Sequence, residues 1–257
     1  MWRDFKLTNI ELISLIAIFF FTSVVGIVTG SNSLITVPAM LEFDIDPAKA
    51  IATNMFALIF MSIGGTIPFL KSDVLKRPDL PLLSVLTVVG SILGALLVII
   101  IPSDTMPLLI SIFMIAVTVF SVINKNKGIE KIEKPSPTAL KIGYGLTFGL
   151  GIYGGFFSGG YVTTLTASFI GFFNMTFIEA IAITKVLNIF SSIIATLIFM
   201  TQGLVDYQLG IILGITMFVG AVIGAKVVTK MSNLWLRRIF LVVVIFLAVR
   251  NLLQWIS

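Results

Sequence analysis

Lys185 is the side chain in this sequence best placed to do chemistry. It lies inside a run, 177–201, that is otherwise almost entirely apolar or small, with Thr184 beside it and Asn188 three positions on. That spacing puts Asn188 on the same helical face as Lys185. A lysine within a long apolar helix is costly, and by default it marks a binding position or a pathway. The competing reading is an ammonium that snorkels to the nearest boundary, or that pairs with Glu179.

Two further clusters carry hydrogen-bonding groups in apolar surroundings. One runs through Thr29, Gly30, Ser31, Asn32 and Ser33, the other through Ser158, Gly159, Gly160 and Tyr161. Each interrupts a run too long for one membrane crossing. At 1.5 Å per residue, Leu12–Leu41 would make a helix of about 45 Å and Ile142–Ile178 one of about 55 Å. Both therefore read as a helix, a break and a second, short helix. A half-helix that starts after a break presents unpaired N–H groups and the positive end of its dipole, a combination suited to an anion. Hydroxyl and amide donors at the breaks would add to it. The alternative is that both clusters are plain turns at a membrane surface.

What is missing narrows the chemistry further. The sequence contains neither cysteine nor histidine. Disulfides, thiol nucleophiles, zinc sites of Cys/His type and imidazole catalysis are thereby excluded. There is no paired carboxylate inside an apolar run and no phosphate loop. No enzyme, cofactor or metal site is expected. A metal or other cation exporter is the runner-up within transport, disfavoured because Asp and Glu ligands are scarce in the apolar runs. A membrane-embedded assembly factor is a third, weaker reading.

The elements that must position these groups follow from composition. The 257 residues are 58% hydrophobic and 11% charged, against roughly 45–50% and about 25% in soluble chains. A mean hydropathy of +1.11 places the surplus against lipid. The net charge of +5 sits in short loops, the pattern of topology signals and not of a nucleic-acid stripe. The N-terminus has no small-residue cleavage motif and reads as mature structure. Charge-free runs predict crossings over Ala50–Leu70, Leu80–Ser103, Thr105–Asn124, Val186–Val205, Tyr207–Ala225 and about Leu234–Ile256.

A shift of 130 residues superposes the two halves without a gap from Phe43 to Val98. Ala50, Ile51 and Ala52 meet Ala180, Ile181 and Ala182, while Ser62 and Thr66 meet Ser192 and Thr196. Gly90, Gly94 and Ala95 meet Gly220, Gly224 and Ala225. The breaks coincide as well, with Gly30 on Gly160 and Thr36 on Thr166. Lys185 falls on Met55 and Thr184 on Asn54, which brings Asn54 into the candidate site. The glycine pairs four apart read as close helix contacts. The chain thus divides into an N-terminal transmembrane repeat (1–124), a lysine-rich cytoplasmic linker (125–141) and a C-terminal transmembrane repeat (142–257).

Equivalent loops carry opposite charge. Loop 71–78 has Lys71, Lys76 and Arg77 where 201–207 has no base; 102–105 has none where 230–238 has Lys230, Arg237 and Arg238. By the positive-inside rule the halves then face opposite ways, an inverted repeat with both termini outside. The expected fold is an all-α integral membrane protein of two homologous halves. Each has a broken or re-entrant first helix region and three spanning helices. Whether each break makes a re-entrant hairpin or two short crossings stays open. The alternative is a plain eight-helix arrangement with the N-terminus inside.

These motifs, in this order, resemble the TauE/SafE family of sulfite exporters, also called toluenesulfonate uptake permeases. The resemblance is carried by Gly26 to Gly30 leading to Val37 and Pro38, by Gly155 to Gly160, and by Ala180 through Thr184, Lys185 and Asn188. Gly203 to Asp206 and Gly220 to Ala225 complete it. The chain departs from the family where Ser31, Asn32 and Ser33 replace a glycine run, and where Ser168 stands at the second proline position. The resemblance implies export or uptake of sulfite, sulfonates or related organosulfur anions across the cytoplasmic membrane of a prokaryote. It also strengthens a substrate-facing role for Lys185 and Asn188. The expected partners are a small anion, membrane lipid and a possible second copy of the chain.

Overall fold

The structure, a computed structural model, describes residues 7–30, 32–71, 73–102, 105, 135–232, 234–236, 238–239 and 242. Ser31, the expected crossing over 105–124 beyond its first residue, the linker up to 134 and most of the final run lie outside them. The described residues are helical, with no strand among them.

The first half contains α1 (Asn9–Thr29), the short α2 (Ser33–Leu41), α3 (Pro47–Thr66) and α4 (Leu80–Ile100). The second contains α5 (Pro137–Phe156), the short α6 (Tyr161–Phe172), α7 (Phe177–Thr201) and α8 (Tyr207–Val228). Among the described residues, α1, α3 with its 3-10 extension to Phe69, α4, α7 and α8 are long and apolar enough to cross a membrane. Their outer faces show Ile92, Leu93 and Leu96 on α4 and Ile211, Ile215 and Val219 on α8, all exposed in the isolated chain. Such faces suit hydrocarbon and not water.

Helix starts follow capping chemistry. Thr8 with Glu11 and Thr176 with Glu179 form capping boxes at α1 and α7, and Asp46, Ser136 and Asp206 cap α3, α5 and α8. The box at Thr176 starts α7 nine residues before the charge-free run at Val186, and Asp46 with Pro47 starts α3 before Ala50.

Backbone specials repeat with the sequence. Gly30 (φ 69°) and Gly160 (φ 77°) are both left-handed, and so are Asp44 (φ 57°) and Asn174 (φ 50°). Each pair is 130 residues apart. Packing repeats too. Helix α1 lies on α8 as α5 lies on α4, α3 lies on α8 as α7 lies on α4, and α3 and α7 meet at the centre. The glycine pairs make the expected close approaches. A Cβ on Gly90 would stand 2.6 Å from the Phe148 carbonyl oxygen and 2.8 Å from the Ile152 nitrogen, and one on Gly94 2.8 Å from the Phe156 nitrogen. Gly220 and Gly224 press against the backbone of α1 at Phe20 and Val24 in the same way.

This contrast gives a first prediction. Gly90→Ala is expected to destabilise the protein by about 1–3 kcal/mol through overpacking against backbone. Gly145→Ala, in the same bundle with nothing within 4 Å, should be neutral or gain up to about 1 kcal/mol of helix propensity. Melting of detergent-solubilised protein checks both; equal melting points would contradict the packing.

Candidate functional site

The two short helices, like α4 at Asp79, begin without a side-chain cap. Asn32 at the start of α2 and Gly160 at the start of α6 make no side-chain cap, whereas the N-caps of α1, α3, α5, α7 and α8 do. Asn32 is a residue type that ordinarily caps, but its backbone is helical (φ −52°, ψ −56°) and its side chain turns away. A buried helix start that no side chain caps is the kind of N-terminus suited to an anion.

The breaks meet. Gly30 ends α1, its N–H donating to the Gly26 carbonyl at 2.8 Å. A Cβ on Gly30 would lie 2.6 Å from the Val162 side chain and 2.7 Å from the Thr163 nitrogen, so the first break rests on the first turn of α6. The Thr163 hydroxyl donates to the Thr29 carbonyl, which ties the halves together at this point. Across the second break, the Tyr153 hydroxyl donates to the Gly159 carbonyl, and Ser158 adopts φ 63°. The Tyr161 ring packs on Gly154. Its hydroxyl and both polar atoms of the Asn32 side chain are buried without a partner.

Lys185 lies two turns inside α7 and is 1% exposed. Its ammonium donates to the Gly26 carbonyl at 3.1 Å, one turn before the end of α1. A cation there also meets the negative end of the α1 dipole. The aliphatic stem runs beside Gly65, whose missing Cβ would stand 3.5 Å from Lys185 Cδ. The ammonium therefore neither snorkels nor pairs with Glu179, whose carboxylate is held by the Thr176 N–H at 2.9 Å. No Asp or Glu occurs within α2, α3 or α6. Asn32 packs directly on Gly26, so the first break and Lys185 share one carbonyl-bearing turn.

The other candidates divide. Asn188 donates to Ser62 on α3 at 2.7 Å, and its carbonyl oxygen is buried and unpartnered. Asn54 is fully engaged in fastening α2 to α3. Its amide donates to Ser33 at 2.9 Å, and its oxygen accepts from the Thr36 hydroxyl at 2.8 Å. Thr184 turns back to the Ile181 carbonyl at 2.9 Å. Ser31 lies outside the described residues. Ser62, Thr36 and Thr163 have structural parts that the candidate set omits. Ser62 and Thr36 each align with a hydroxyl residue in the other half, Ser192 and Thr166, which was the available signal. Asn54→Leu is expected to leave the buried Ser33 hydroxyl without its partner, while Thr36 keeps the Asn32 carbonyl, and to cost about 1–3 kcal/mol. A melting point unchanged from wild type would show that this fastening carries no stability.

The comparisons with known proteins bear on this arrangement. The family model described as "Sulfite exporter TauE/SafE" matches residues 15–251. A "Probable membrane transporter protein ORF9" from a Sinorhizobium species is 26% identical over 235 residues, 91% of this chain and 89% of its own. "Probable membrane transporter protein YfcA" of Escherichia coli K12 is 28% identical over 222 residues, 84% of this chain and 80% of its own. A Haemophilus influenzae "Probable membrane transporter protein" is 24% identical, covering 85% of each chain. No solved structure matches.

Proposed function

We propose, from the premise that this chain belongs to the TauE/SafE sulfite exporter family of membrane transporters, that it carries a small sulfur-containing anion. The observation that supports this most is Lys185. A buried ammonium without a carboxylate, holding only one backbone carbonyl among the described residues, has donors left for an anion. Asn188 stands on its face, and the two uncapped half-helix starts supply further N–H donors. Thr29, Gly30, Asn32, Ser33, Ser158, Gly159, Gly160 and Tyr161 would surround the anion, with Ser31 beside them in sequence. Asn54 and Thr184 would act behind them, Asn54 holding the Ser33 and Thr36 hydroxyls and Thr184 its own backbone. Sulfite, sulfonates and related oxyanions match such a donor set, since they offer several acceptor oxygens around one charged centre.

Transport would proceed by alternating access between two inverted halves in a prokaryotic cytoplasmic membrane. Three observations support inversion. Helices α3 and α7, equivalent by the 130-residue shift, run antiparallel, because Ser62 meets Asn188 while Gly65 meets the earlier Lys185. The packing pattern survives exchange of the halves. The equivalent loops have opposite charge. Single cysteines at Val74 and Leu204 should be labelled by an impermeant reagent from opposite sides of the membrane. Labelling of both from one side would overturn the inversion.

For the solute, purified protein is expected to be stabilised thermally by one or more of sulfite, thiosulfate, taurine and sulfoacetate. Stabilisation only by divalent metal ions would favour a cation exporter instead.

A further inference from the structure

Buried and half-buried hydroxyls in these helices have an ordinary solution, which is to donate back to the carbonyl one turn earlier. Thr22, Thr66, Thr147, Thr164 and Thr216 all do so, at 2.7 to 3.0 Å. Ser192 and Thr196 on α7 do not. Both are buried, at 0% and 2% exposure, and neither hydroxyl has a partner. Their equivalents in the first half are satisfied: Ser62 accepts from Asn188, and Thr66 donates to the Ser62 carbonyl. The same positions on equivalent helices are therefore closed on α3 and open on α7.

The open groups are not scattered. Asn188, Ser192 and Thr196 are spaced i, i+4, i+8, which is one ridge of a helix, and Lys185 begins it one turn earlier. The Asn188 carbonyl oxygen, the Ser192 hydroxyl and the Thr196 hydroxyl are each buried and unpartnered. The other buried unpartnered hydroxyls, at Thr87, Tyr161 and Ser168, lie on α4 and α6 and not on this ridge. A buried polar group left without a partner costs its full desolvation. Three in line, on a helix whose equivalent avoids them, call for something polar that passes or rests there.

We propose that the solute route runs from Lys185 along this α7 ridge, over Asn188, Ser192 and Thr196, toward the end of α7 at Thr201. This rests on the reading of the chain as an anion transporter and adds two residues, Ser192 and Thr196, as hydrogen-bonding steps beyond the Lys185 site. The ridge extends eleven positions, about 16 Å of helix, which is half of a roughly 30 Å hydrocarbon layer. Hydroxyls suit such steps, because each can donate to an anion and none holds it by charge.

The absence of cysteine in the sequence makes the test direct. Ser192→Cys and Thr196→Cys are nearly isosteric, so the fold should tolerate them. Leu187→Cys is equally buried but off the ridge, and Leu197→Cys is 54% exposed and faces outward to lipid. Each variant, in membrane vesicles of either orientation, is treated with the impermeant cationic thiol reagent MTSET, and wild-type uptake of radiolabelled taurine and sulfite is measured in parallel. Residues 192 and 196 are expected to react at least tenfold faster than 187 and 197 from one or both sides. Rates at 192 and 196 no higher than at the two controls, in a wild type that transports, would overturn the route and leave the anion reading standing. Fast labelling at 192 and 196 without uptake of either anion by wild type would overturn that reading and keep an aqueous route.

Discussion

Lys185→Met should reduce uptake of the proposed sulfur anion about a hundredfold while leaving the protein folded. A hydrogen bond to a charged group contributes about 1.5–3 kcal/mol, or roughly tenfold to more than a hundredfold. Here the bond is lost together with the only cation in the α7 interior among the described residues. Folding should survive for three reasons. Methionine already occupies the equivalent position, where Met55 is fully buried. The Gly26 carbonyl keeps its bond from the Gly30 N–H at 2.8 Å, so no acceptor is orphaned. Removing a buried charge also removes its desolvation cost. Uptake into proteoliposomes, beside a melting curve, decides the matter. Normal uptake with a normal melt would remove Lys185 from the site.

The second large effect belongs to Gly30→Ala, which should destabilise by about 3 kcal/mol or more. A side chain in the left-handed region costs roughly 1–2 kcal/mol, and overpacking adds about 1–3. Both apply, since Gly30 has φ 69° and its Cβ would stand 2.7 Å from the Thr163 backbone nitrogen of the other half. Gly203→Ala separates the two causes. Gly203 has φ 63° with nothing within 4 Å, so only the conformational cost should remain. Melting points that drop equally in the two variants would mean that the breaks do not press together.

Much of the architecture was legible before any coordinates. Long apolar runs, the glycine-bearing interruptions and the 130-residue repeat are local or periodic signals. Each has its counterpart in α1 to α8, in the pair Gly30 and Gly160, and in the glycine contacts of α4 and α8. Charge-free runs understate helix starts, because the residues that begin these helices are charged or polar. Glu179 closes the capping box of α7 and Lys49 sits in the first turn of α3, so both helices begin earlier than their charge-free runs, α7 at Phe177 where the longer run 177–201 begins.

Residue type and spacing by themselves determined a helical membrane chain with an internal similarity at 130 residues, two breaks and one lysine within an apolar run. Lipid demands apolar length, left-handed backbone demands glycine, and duplication leaves a register that alignment recovers. Tertiary structure alone decided what each polar group meets. Lys185 finds the Gly26 carbonyl 159 residues away, Thr163 finds Thr29 across 134, and Asn188 finds Ser62 across 126. It also separated Asn54 and Thr184, equivalent in sequence, into a fastening for α2 and a hydroxyl returned to its own helix. A polar side chain in a membrane interior satisfies whichever partner the packing of distant helices brings within about 3 Å. That distance belongs to the fold, not to the neighbouring sequence.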